Sequence, residues 1–169
     1  RAPRDTLFWK TTCKTAALKT WQTEWRLSDH APALRALNVI PTHAIKRNFF
    51  LGDNDLDRQM ARLRLGYHSL QDSLHRHHFS DSPACIPCSL SNPPATPGIP
   101  QTLTHHMLTC PTYAPARQLL HDKTRNTLSL NPTAPVTLKL LLSPPKYTSD
   151  AFTLARAIQQ FCRETHGWI

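Results

Sequence analysis

Cys85-Ile86-Pro87-Cys88 opens the stretch that decides the fold, and His105-His106-Met107-Leu108-Thr109-Cys110-Pro111 closes it. Between them runs a loop carrying Pro93, Pro94, Pro97, Gly98 and Pro100. Three of the chain's five cysteines lie here, together with two adjacent histidines. Thiols three positions apart in a hairpin-like knuckle can face one cation, and a later imidazole and thiol complete a tetrahedral set suited to zinc. The order C-x2-C-x16-H-x4-C designates Cys85, Cys88, His105 and Cys110. Four protein donors close the coordination shell, so the pattern predicts a structural zinc site and a binding module, with no catalytic residues.

Two histidines compete for the third ligand position. On a regular helix His106 and Cys110 share a face as an i, i+4 pair. The x4 spacing of zinc knuckles selects His105 instead, and we take His105 as the expected ligand with His106 as its alternative. A disulfide is the other use of such cysteines. It belongs to oxidising compartments and small secreted domains, and no charged-then-apolar leader marks secretion. The sixteen-residue gap is wide for a compact knuckle, yet a Pro/Gly loop closes it at modest entropic cost.

Working outward, 169 residues suit one domain, which at this size buries roughly 70% of its unfolded surface. Fifteen prolines and only four glycines suit helices separated by Pro-rich turns better than a sandwich of sheets. Lys and Arg number 20 against 11 Asp and Glu, a formal charge of +9, with ten histidines besides. That excess points to a polyanionic partner, the RNA or DNA backbone. No apolar run approaches the ~18 residues of a membrane span, so no membrane partner is expected and an intracellular protein is. The chain starts at Arg1, so we expect a piece of something longer.

Apolar periodicity predicts helices over 5–26, 56–65, about 70–74, 112–127 and 150–162. The first carries Leu7, Cys13, Ala17, Leu18, Trp21 and Trp25 on one side, with both tryptophans and Cys13 expected in the core. Ala33–Leu37 reads as a short turn, and His43–Leu51 as a basic-then-aromatic patch with Phe49 and Phe50. Asp53, Asp55 and Asp57 read as capping chemistry for the next helix, whose buried set is Leu56, Met60 and Leu63 and whose stop is Gly66. Ser69 and Asp72 resemble a capping box. Tyr113, Ala116, Leu119 and Leu120 form the stripe of the helix after Cys110, and Val136–Leu142 is too short to assign. Ala151, Leu154, Ala155, Ile158, Phe161 and Cys162 make the cleanest amphipathic face. The expected organisation is an N-terminal helical segment (1–52), basic helices with the knuckle (53–127, knuckle 85–110) and a C-terminal helical segment (128–169). The fold class is mostly α, a small helical domain with Pro-rich loops, stapled by the zinc site.

Catalytic patterns are missing. The acidic trio sits on one loop-to-helix junction, whereas a two-metal nuclease needs carboxylates converging from separate elements. Its Asp-Asn-Asp order lacks the later bidentate Glu of a calcium loop, and neither a phosphate-binding glycine loop nor a serine elbow occurs.

The run Ala61-Arg-Leu-Arg-Leu-Gly-Tyr-His68, then Leu74-His75-Arg76, then Cys85-x2-Cys88 and His105-x4-Cys110-Pro-Thr-Tyr113, resembles one family. It is similar to the far C-terminal region of non-LTR (LINE-like) retrotransposon reverse-transcriptase polyproteins, especially fungal ones. The resemblance covers about residues 21–117, beginning with Trp21-Gln22-x2-Trp25. Departures are Leu65 where Thr is common, Tyr67 inserted before His68, Gln101 for an acidic residue, and the long x16 gap. The resemblance implies a nuclear zinc-knuckle module that holds template RNA or target DNA beside the rest of its parent polyprotein. Arg58, Arg62, Arg64, His68, His75 and Arg76, concentrated beside the knuckle, are the expected phosphate contacts. The competing expectation is a structural domain that packs on a polymerase or RNase H neighbour.

Overall fold

The computed structural model describes residues 3–28, 35, 51–91, 98–143 and 148–165. The turn expected at Ala33–Leu37 (Arg35 apart), the patch with Phe49 and Phe50, and Pro93, Pro94 and Pro97 lie outside them. Two compact units divide the chain, residues 1–46 and 47–169.

In the first unit, helix α1 runs Pro3–Leu27. No described side chain on it is buried, and Cys13 and Trp21 are exposed, contrary to the core placement expected for them. The physical reason is that its large apolar residues are spread round the helix: at 100° per residue Phe8, Trp9 and Trp21 point about 100–140° apart, so no one side presents a continuous surface to bury.

Among the described residues of the second unit the regular elements are helices joined by turns and loops, apart from a single antiparallel bridge between Ala84 and Pro100. Helix α2 spans Asn54–Leu65, α3 Gln71–Arg76 and α4 Ile86–Ser91. A π-turn, His105–Thr109, and a 3-10 turn, Pro111–Tyr113, lead into α5, Ala114–Thr127. Helices α6, Leu138–Leu142, and α7, Thr148–Glu164, complete it. Here the structure is a mostly helical small domain, without a sheet among the described residues.

Helix α7 is the hub, packing on α5 and on α2, while α6 packs on α2. Its buried face is Ala151, Leu154, Ala155, Ile158, Phe161 and Cys162, as periodicity predicts. From α2 come Leu56, Met60 and Leu63, at i, i+4 and i+7, and from α5 Leu120. Leu119, assigned to the same stripe, is instead 45% exposed. The α5 stripe continues from Leu120 to Thr124, one turn on, whose buried hydroxyl donates to the Leu120 carbonyl at 2.7 Å.

Polar groups fix how α2 enters and leaves. Asp53 Oδ1 accepts from the Leu56 N–H at 3.0 Å, Asp57 Oδ1 accepts from the Leu51 N–H at 2.8 Å, and Asp55 pairs with Arg58. The three aspartates thus cap and complement a helix N-terminus. Gly66 ends α2 at φ 79°, where a side chain is strained. Asp53 also takes Arg156 of α7 at 2.6 Å. Ser69 does not take the cap position that the expected box with Asp72 requires. Leu70 occupies the cap position of α3, and the Gln71 N–H donates to Gln101 Oε1 at 3.1 Å.

Truncating the hub tests this architecture. Phe161→Ala should cost about 3–5 kcal/mol of unfolding free energy for the second unit, whereas Leu119→Ala should stay within about 0.5 kcal/mol. Denaturant titration of both variants checks it, and equal losses would contradict the assigned core.

Candidate metal centre

Local backbone chemistry brings four donors from distant parts of the sequence to one point. The Cys85 N–H donates to the Ile99 carbonyl and the Gln101 N–H to the Pro83 carbonyl, each at 2.7 Å. These bonds flank the Ala84–Pro100 bridge and close the Pro-rich loop, so the long gap between cysteine pair and histidine is spanned by a paired return. Gly98 makes that return possible. A Cβ there would lie 2.6 Å from Ala84 Cβ, too close for any side chain.

The cysteine pair is not a hairpin knuckle. Ile86 begins α4, with Pro87 next, where its missing N–H costs nothing. The Ser89 N–H and hydroxyl both donate to the Cys85 carbonyl, each at 2.9 Å. This turn brings Cys88 back toward Cys85.

The π-turn supplies the other two donors. The Cys110 N–H donates to the His105 carbonyl at 2.7 Å, a five-residue closure. On a regular α-helix, five residues would leave His105 about 140° away from Cys110. The wider turn reduces that offset, so His105 rather than its neighbour joins the thiols.

Cys85 Sγ and Cys110 Sγ are 3.9 Å apart, Cys88 Sγ and Cys110 Sγ 3.6 Å, and Cys88 Sγ and His105 Nε2 3.4 Å. All four donor atoms lie within 4.8 Å of one another, and all four residues are buried. Bond lengths of about 2.3 Å to sulfur and 2.0–2.1 Å to nitrogen give tetrahedral edges of roughly 3.8 and 3.6 Å. The arrangement therefore has the size of a metal tetrahedron. It is not a disulfide, because every described cysteine is a free thiol and a disulfide brings sulfurs to about 2.05 Å.

Neighbouring groups orient the donors. Thr109 Oγ1 donates to the His105 carbonyl at 3.4 Å and lies 3.2 Å from His105 Nδ1. Its lone pairs are thus free to accept Nδ1–H, which leaves the Nε2 lone pair turned to the sulfurs. The His105 N–H donates to Thr102 Oγ1 at 3.0 Å. Arg117 donates to the Cys110 carbonyl, and Tyr113 packs against the cysteine cluster. Thr102, Thr109, Gly98 and Arg117 escape a reading by motif, although Thr109 at i+4 from His105 was a visible signal.

Burial pushes the Cys85 thiol up to about 12 and raises Cys88 as well. Without a cation these thiols are held neutral, so a metal must displace protons to bind. Burial lowers His105, keeping its imidazole neutral and available as a ligand.

His106 points elsewhere. It stands edge-on to Phe161 and Tyr113 at centroid distances of 5.3 and 5.0 Å, and its Nε2 lies 3.0 Å from Thr165 Oγ1. One histidine of the pair serves the sulfur cluster and the other the core.

The six expected phosphate contacts separate. Arg58 and Arg62 are exposed, Arg76 is half-exposed beside Asp72 at 3.3 Å, and His75 is exposed with Nδ1 3.0 Å from the Ser80 carbonyl. Arg64 is a correction. It is 7% exposed and its Nε donates to the Leu142 carbonyl at 2.7 Å, satisfying the C-terminal end of α6. His68 is half-buried, and burial, with Arg76 nearby, lowers its pKa to about 4 and leaves it uncharged at neutral pH.

Two predictions follow from these contacts. Gly98→Ala should destabilise the second unit by about 1–3 kcal/mol, and Ala84→Gly in the same chain should restore most of it; thermal unfolding of the single and double variants checks this. The second concerns pH. The folded pKa of His68, about 4, lies below its ordinary value of 6.5, so the unfolded chain binds more protons between them. The stability His68 contributes is therefore present above pH 6.5 and is lost as pH falls toward 4. An NMR titration should place its midpoint near 4, and a midpoint near 6.5 would contradict the burial.

Compared with known proteins, the chain matches no family model, no curated protein and no solved structure.

Proposed function

We propose that Cys85, Cys88, His105 and Cys110 hold one zinc ion, and that the chain is a nucleic-acid-binding module. The observation that carries the metal assignment is the buried group of four donors within 4.8 Å. Three thiolates and one imidazole at tetrahedral spacing suit zinc better than the hard, oxygen-seeking cations. A closed four-donor shell offers no position for a reacting water, so we assign the ion a structural role and the chain no catalytic step.

A nucleic-acid partner is favoured by the +9 formal charge and by Arg58, Arg62, His75 and Arg76 on the surface of α2 and α3. The ion pairs Arg58–Asp55 and Arg76–Asp72 are exposed. Such pairs contribute little, so phosphate can compete for either guanidinium. We read the module as the C-terminal part of a non-LTR retrotransposon reverse transcriptase, acting in the nucleus on template RNA or target DNA. That assignment rests on the order of the Arg-Leu-Arg-Leu-Gly run, cysteine pair and His-x4-Cys-Pro. Exposed Phe8 and Trp9 on α1, edge to face at a centroid distance of 6.0 Å, favour an additional role, packing on a neighbouring part of the parent polyprotein.

The test is binding of short RNA and DNA as salt is varied. Three exposed arginines engaging phosphate predict a log–log slope of about −2 to −3, and removal of zinc by chelator or by Cys88→Ser should weaken binding and loosen residues 85–110, while Cys13→Ser does neither. Binding indifferent to salt would overturn the electrostatic reading. Equal chelator sensitivity in Cys88→Ser and the natural chain would overturn the zinc assignment.

A further inference from the structure

The turns before and after α3 face each other across a cleft of about 260 Å³, lined by Arg62, Tyr67, His68, Leu74, His77 and Phe79. On one side Gly66 adopts its left-handed conformation, the Tyr67 N–H donates to the Arg62 carbonyl at 2.9 Å, and Ser73 Oγ donates to the Gly66 carbonyl at 3.1 Å. On the other, His78 takes φ 61°, a conformation histidine tolerates better than most residues. That reversal lets the Phe79 N–H donate to the Leu74 carbonyl at 2.8 Å. Both aromatic residues are thereby tied to backbone, and their rings stay in solvent, Tyr67 57% and Phe79 80% exposed.

Tyr67 already stacks on the His77 imidazole, with centroids 5.3 Å apart and planes 21° from parallel. The pair is an offset π-stack at the surface, ready to be extended by a further ring. Aromatic faces accept any base, and a cation beside them takes the phosphate. Arg62 supplies that cation from the cleft wall. The volume falls below the roughly 300–1,000 Å³ of pockets for drug-sized ligands, so it suits one ring system rather than an extended cofactor. A base inside a duplex is covered on both faces by its neighbours and cannot offer one to the platform.

We propose that this cleft seats one unpaired base of a single-stranded nucleic acid, stacked on the Tyr67–His77 platform with Phe79 beside it and the adjoining phosphate on Arg62. The proposal rests on the nucleic-acid reading above and makes it specific: single strands in preference to duplex.

The experiment uses the full zinc-loaded chain at one salt concentration. Fluorescence anisotropy measures its affinity for a ten-nucleotide single strand, for the same strand made abasic throughout, and for the duplex, with RNA and DNA versions of the strand. The natural chain should bind the strand about tenfold more tightly than the abasic strand. Tyr67→Ala should erase that preference without changing affinity for the abasic strand, and Tyr67→Phe should keep it; zinc content and circular dichroism confirm that each variant is folded. A base-to-abasic ratio near one in the natural chain, or a ratio that survives in Tyr67→Ala, overturns the cleft assignment alone, since backbone binding would persist. No binding to any of the three overturns the nucleic-acid reading and this one with it. A free nucleoside monophosphate that competes as well as the strand would make the cleft a nucleotide site and overturn the assignment to single strands.

Discussion

One backbone hydrogen bond, from the Cys110 N–H to the His105 carbonyl, governs the second unit's chemistry. It widens a single turn and separates two adjacent histidines that a regular helix would handle differently. His105 goes to the thiols. His106 goes to the aromatic edge of Phe161 and the hydroxyl of Thr165, where burial lowers its pKa to about 4. Single π-turns are rare and concentrate at functional sites, and here the geometric cost serves both a ligand set and a core. The same five residues therefore join the sulfur cluster to the α5–α7 helix pair.

The rest of the site depends on closing a long loop. Bonds on either side of the Ala84–Pro100 bridge fix residues 98–101 beside the cysteine pair, and Gln101 then reaches out to hold the first N–H of α3. Gln101 is buried, and its amide oxygen acts as a helix cap. Capping across such a distance couples the exposed cations of α2 and α3 to the folding of the sulfur cluster. Loss of the proposed zinc would thus loosen more than the cluster itself.

What the residues disclosed without coordinates followed the strength of their periodicity. The faces of α2 and α7 were readable because Leu56, Met60 and Leu63, or Leu154, Ile158 and Phe161, recur at helical spacing with polar residues between them. The four donors were readable because cysteine and histidine spacing is restrictive. The choice of His105 could not come from helix geometry, since no residue preference announces a π-turn. Arg64 was misread because its carbonyl partner at Leu142 lies far along the chain, while its neighbours Arg62 and Leu65 face solvent. Cys13 and Trp21 were misread because their spacing does not show how widely the other large apolar residues of α1, Phe8 and Trp9, are spread round the helix.

X-ray absorption at the zinc edge, on the natural chain and on His105→Ala and His106→Ala, distinguishes the two histidines as ligands. Three sulfurs and one imidazole nitrogen are expected in the natural chain, with an unchanged spectrum in His106→Ala and loss of the imidazole signal in His105→Ala. An imidazole signal that survives removal of His105 and disappears with His106 would contradict the choice of His105.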